Sequence, residues 1–345
     1  MDESYFPATV VSSSAPVLQT IDGQSWPSQD LELRVENGSA HPPTVHVVNQ
    51  GDPTSGDYRS YQDGQRVVLL RQDDGQTTVY SVFDVDRRGS LLALSVFFLV
   101  LVFLFARKRG LTSVIGMLVS LAVLVLFVVP QIVSGGDPLT ISLVGCVVIA
   151  ACSLFLAHGF NRRTGIAFIG TLLTLACVAV LAKLAVVSAA LTGIGSEDTL
   201  LFKLGPLGHV NLSGLMLAGM LIGTLGVLDD VTTAQSAAVE ELKDANPAFD
   251  AKELYRRASS IGREHIASLV NTLVLAYVGV SLPVFLLLTT NNSLPWWVTL
   301  NSEFLAEEIV RTLVGSCGLV LAVPITTFLA ARFFGKSVDR SSFVR

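Results

Sequence analysis

Polar and turn-forming residues dominate the first 88 positions, and from residue 89 onward apolar residues collect into seven long runs. The runs lie near residues 89–106, 111–133, 138–158, 164–191, 207–229, 265–289 and 304–331. Each matches the ~20 residues that a helix needs to cross a bilayer core. Before them the period is two rather than 3.6, with alternating patches at Leu31, Leu33 and Val35, then Thr44 to Val48, Val67 to Leu70 and Thr77 to Val82. The Asp74-Gly75 pair between the last two patches predicts a hairpin turn. The pattern predicts a polytopic α-helical membrane protein of about seven transmembrane helices behind a small N-terminal β module of about five short strands. Its expected parts are a β-rich module over 1–88, a transmembrane domain over 89–334 with an amphipathic segment at 231–263, and a tail over 335–345.

Composition strengthens the membrane reading. Of the 345 residues, 51% are hydrophobic and only 15% charged, and the mean hydropathy of +0.59 is too high for an ordinary soluble chain. Basic residues are unevenly placed. Arg107, Lys108 and Arg109 follow the first run, Arg162 and Arg163 the third, Lys243, Lys252, Arg256, Arg257 and Arg263 the fifth, and Arg332, Lys336, Arg340 and Arg345 the seventh. The alternate loops contain only Lys203, and Arg87 and Arg88 form one discordant pair before the first run. The positive-inside rule therefore predicts an N-terminus outside, an extracytoplasmic β module and a cytoplasmic C-terminus. That arrangement suits a multi-pass protein of a plasma membrane. The first residues carry no basic segment followed by an apolar core, so export of the β module needs either unaided translocation of a short tail or an upstream signal-anchor helix, and the second is expected. No basic motif suggests nucleic acid. Cys146, Cys152, Cys177 and Cys317 all fall in apolar runs and read as packing residues, and His41 and His46 are isolated imidazoles in a strand context.

The fifth run carries the most specific pattern. Gly219, Gly223, Gly226 and Asp230 are spaced four, three and four residues apart and share one helix face at 100° per residue. A glycine stripe admits a close neighbour, so Asp230 is expected to point into the protein. No proline or glycine interrupts Val231 to Leu242, so the helix should continue to the Asn246-Pro247 break and carry Glu241 on the same face, about 16 Å beyond Asp230. Asp229 falls on a different face. At the start of the sixth run Arg263, Glu264, His265, Ser268, Asn271 and Thr272 form a second polar set. These groups are the candidates for an ion-coupling or binding pocket: Asp230, Glu241, Glu264, Asn271, Asp229, Thr272 and Arg263. Such a pocket could relay protons or hold a metal cation through oxygen ligands. A network of structural pairs with Arg256, Arg257 or Arg263 is the bland alternative. Glu307, Glu308 and Arg311, with Lys183 expected at similar depth, form an outer cluster that reads first as a buried ion pair fixing helix packing.

The stretch from Gly223 to Pro283 resembles the YibE/F family of bacterial multi-spanning membrane proteins. The likeness rests on Gly223 to Val231 (GTLGVLDDV), Glu241-Leu242, Asn246-Pro247, Ile261 to Glu264 (IGRE) and Asn271 to Gly279 (NTLVLAYVG). It implies an extracytoplasmic β segment followed by seven spans, with Asp230, Glu241, Gly262, Arg263, Glu264, Asn271 and Thr272 at the motif positions. A weaker likeness over about sixty residues, the Asp-Asp-Val opening and the return span, is to the central helices of RND-type transporters and of SecD and SecF, which implies ion coupling. The expected function is a proton- or cation-coupled transporter or exporter. The alternative is a non-transporting membrane module that assembles with an envelope protein partner through residues 1–88. No Gly-x-Ser-x-Gly elbow, His-Glu-x-x-His motif or P-loop occurs, so neither an enzyme nor direct ATP use is expected, and no cofactor.

Overall fold

The computed structural model describes residues 2–21, 24–36, 43–51, 58–75, 77–195, 197–283, 286 and 295–335. The chain forms two compact units, 1–105 and 106–345.

The first unit is built on an antiparallel sheet of six strands: β1 (Asp2–Ser13), β2 (Val17–Ile21), β3 (Gln24–Val35), β4 (Thr44–Gln50), β5 (Arg66–Asp73) and β6 (Thr78–Val85). They run in the order β2-β3-β1-β5-β6, with β4 paired to β3. Alternation places Ala8, Val10, Leu31, Leu33, Val45, Val47, Val67 and Leu69 on one face, where they form a core with Tyr61. Gln29 is buried and exchanges two 2.8 Å hydrogen bonds with the backbone of Tyr61, fastening the approach to β5 onto β3. Gly75 takes φ +83 in the expected hairpin turn, and Asp74 caps it by accepting from the Thr77 amide.

Two findings depart from the sequence reading. The sheet has six strands rather than about five, and β1 and β3 are twelve residues long. Arg87 and Arg88 are matched by Asp84 and Asp86, so the discordant positive pair adds little net charge. The Arg88 guanidinium and backbone amide hold the Asp86 carboxyl far below the usual carboxylate range. Helix α1 (Arg88–Arg107) follows, and none of its apolar window is buried.

The second unit is helical: α2 (Gly110–Val133), α3 (Pro138–His158), α4 (Arg162–Ser188), α5 (Glu197–Leu204), α6 (Leu212–Ala245), α7 (Ala251–Val280), α8 (Trp296–Leu300) and α9 (Glu303–Phe334). Side chains of Asp137, Asn161, Asn211 and Asp250 accept from backbone amides three residues on and start α3, α4, α6 and α7. Helix α6 is central and packs against α3, α4, α7 and α9, while α9 also packs against α4 and α7. Leu175, Val178, Leu217, Leu221, Leu228 and Leu319 lie in the main core. A smaller core of Ile166, Val239, Leu254, Ala258 and Ala330 joins the same helices at the end carrying the basic loops.

Six described helices, α1, α2, α3, α4, α6 and α9, are long and apolar enough to cross a membrane. The expected run at 265–289 begins within α7 and ends partly outside the described residues, as do the tail from 336 and His41. His46 is exposed on β4.

Candidate functional site

Helix α6 turns its heavier residues, Leu217, Leu221, Thr224, Leu228, Val231 and Gln235, toward its neighbours. The glycine stripe is about 180° away. Gly219, Gly223, Gly226, Asp230 and Glu241 are all exposed, and a Cβ built at Gly219 or Gly226 meets nothing within 4 Å. The expectation that Asp230 points into the protein is thus corrected: within this chain it faces outward. Asp229, 100° around the helix, is the half-buried carboxylate.

Asp229 borders a polar seam that crosses the interior. Its Oδ1 is buried without a hydrogen-bond partner, and so is the Thr233 hydroxyl one turn further. The Ser153 hydroxyl of α3 is turned toward the Asp229 carboxylate, and Cys146 of the same helix lies within electrostatic reach. On the next face Thr232 and Thr171 of α4 share a 2.8 Å hydrogen bond. Ser236 donates to the Arg163 carbonyl, and Arg163 lies 3.6 Å from Glu240. Gln235 donates at 2.7 Å to the Ala258 carbonyl of α7. Thr326 of α9 has an unpartnered buried hydroxyl beside Gly170, where a Cβ would sit 2.5 Å from it. A carboxylate and several hydroxyls from four helices can pass or hold a proton or a small cation through oxygen contacts.

The polar set of α7 does not join that seam. Arg263, Glu264, His265, Ser268, Asn271 and Thr272 are exposed. Apart from Thr272 donating to the Ser268 carbonyl, no hydrogen bond or ion pair links them to other described residues. Gly262 is the inward member, and a Cβ there would run into Val323 and Gln235. Asp230, Glu241, Glu264 and Asn271 therefore form no closed pocket among the described residues. Earlier in α7, Arg256 and Arg257 are engaged locally, since both bond Glu253 and bring its carboxyl down to about 2.

At the opposite end, Arg311 pairs at 2.6 Å with Glu308 rather than with Glu307 four residues before it, and Ser281 donates to Glu308. Glu307 is 7% exposed, makes no ion pair among the described residues and accepts from the Gly195 amide. Lys183 is exposed and lies near Asp137, not in this cluster. Sequence reading missed Glu303, which accepts from Thr192 and Gly193 and, with Glu307, clasps the connection after α4. Its position in the first turn of a helix four residues before Glu307 was the available signal.

Among the described residues no group of three or more His, Cys, Asp or Glu side chains could hold a metal ion. No curated protein and no solved structure matches the chain to a significant degree. One family model does, the YibE/F-like protein, over residues 94–336, which takes in all the spans beyond the start of α1. With apolar helices over the same range, the chain is a membrane protein and belongs to the YibE/F-like family.

Proposed function

We propose that this protein is a proton- or cation-coupled transporter of the bacterial plasma membrane, with the basic loops and C-terminus in the cytoplasm and the β sheet outside. The carrying observation is the Asp229 carboxylate, at the end of the fifth apolar run and beside a hydroxyl seam, with one oxygen buried and unpartnered among the described residues. Such a group costs ~1–3 kcal/mol and survives where a bound proton, water or ion completes it in use. Asp230 and Glu241, on the exposed face of the same helix, would gather or release the ion at the cytoplasmic side. The test is complementation of a deletion strain challenged with metal and pH stress, at matched membrane levels. Asp229→Asn should fail to restore an ion-linked phenotype that wild type restores; full rescue by Asp229→Asn and by Asp230→Asn would remove the proposal.

A second reading, an envelope module that binds a partner protein, draws on the sheet, where Val17, Leu18, Val48, Val79 and Phe83 are exposed large hydrophobics. It expects removal of residues 1–85 to be worse than neutralising Asp229 and Asp230 together, and the reverse ranking would exclude it.

A further inference from the structure

Away from the basic loops, α6, α9 and the connection around Gly193 and Gly195 line a partly open cavity of about 210 Å³. That is room for about seven water-sized volumes at ~30 Å³ each. Its walls are of two kinds. Leu212, Leu215, Met216 and Phe304 supply an apolar side, and Glu307, Glu308 and Arg311 a charged one. The charges do not cancel. Arg311 is committed to Glu308, which leaves Glu307 as a carboxylate 93% removed from solvent with no cation within ion-pairing distance among the described residues. The backbone is shaped around that carboxylate: a Cβ at Gly195 would lie 2.6 Å from its carboxyl carbon, and the Gly195 amide donates to it. Among the described residues this buried carboxylate has one backbone donor and only the charge of Arg311, already paired with Glu308, nearby, an arrangement that is unfavourable unless a further cation completes it.

We propose that this cavity binds a small organic ammonium ion, its charged head against Glu307 and a short alkyl body against Leu212, Leu215, Met216 and Phe304. A bare metal cation suits it less, because the apolar side offers no oxygen ligands. Nothing in this assignment depends on Asp229, and the site stands whether or not the chain transports ions.

The full chain in lipid nanodiscs is titrated calorimetrically with n-butylammonium, and with n-butanol and butyrate as neutral and anionic counterparts. Wild type is expected to bind butylammonium saturably and neither counterpart. Glu307→Gln, whose amide oxygen still accepts from the Gly195 amide, should weaken binding at least about tenfold. Gly219→Leu should do the same by filling the cavity, since Gly219 lines it and has open space at its Cβ. Asp229→Asn should bind as wild type does. Absence of saturable binding, equal affinity in Glu307→Gln, equal affinity for butanol, or loss in Asp229→Asn would each overturn the assignment.

Discussion

Asp229 and Asp230 are chain neighbours with opposite surroundings, because one residue of helix turns a side chain by about 100°. Neutralising Asp230 should change stability by less than ~0.5 kcal/mol, as for other exposed positions. Asp229→Leu should raise the thermal midpoint while removing activity, since it replaces a buried, unpartnered oxygen with apolar contact. Thermal unfolding in detergent, read beside complementation, separates the two variants. Glu253 gives a pH-dependent counterpart. Arg256 and Arg257 lower its carboxyl from 4.5 to about 2, so its contribution is complete above 4.5 and is lost as the pH falls through 2. Amide exchange at the start of α7 should therefore quicken over that window, and Glu253→Gln should lack the step. The sequence made the shared face of Gly219, Gly223, Gly226 and Asp230 legible but not its direction. Which side of α6 is buried was decided by the larger side chains opposite, Leu217, Leu221 and Leu228, whose contacts outweigh those a glycine can make.

Among the helices, glycines divide into those that allow contact and those that merely leave space. Gly318 lies where a Cβ would sit 2.5 Å from Val178 and 3.0 Å from Thr224, so Gly318→Ala should destabilise by ~1–3 kcal/mol. Gly226→Ala meets nothing and should gain up to ~1 kcal/mol of helix stability. Paired thermal melts of the two variants check the contrast. The length of α6 was readable because nothing between Val231 and Leu242 breaks a helix. The long strands β1 and β3 were not. Pro7 lies within β1 and Pro27 within β3, and a proline ordinarily argues against a continuous strand.

For the molecule as a whole, the change from strands to helices follows from one change of period near residue 88, from two to 3.6, while the two compact units divide later, at residue 105, so that most of α1 belongs with the sheet. The sheet unit has its own core, so Leu33→Ala, at a fully buried site, should cost it ~2–5 kcal/mol. Orientation rests on charge alone and can be checked directly. With the four native cysteines replaced, His46→Cys should react with a membrane-impermeant maleimide in intact cells, and Asp244→Cys only after lysis. Both positions are exposed, so a reversed pattern would invert the topology.

Glu303 and Glu307 leave α9 one turn apart and grip two successive points of the 192–195 connection. The connection is in effect geared to that helix. A rotation of α9 by a third of a revolution would carry both carboxylates off their amides together, so the two grips hold or release as one. Any turning of α9 would then be read out at its first turns as the seating or lifting of a short backbone latch.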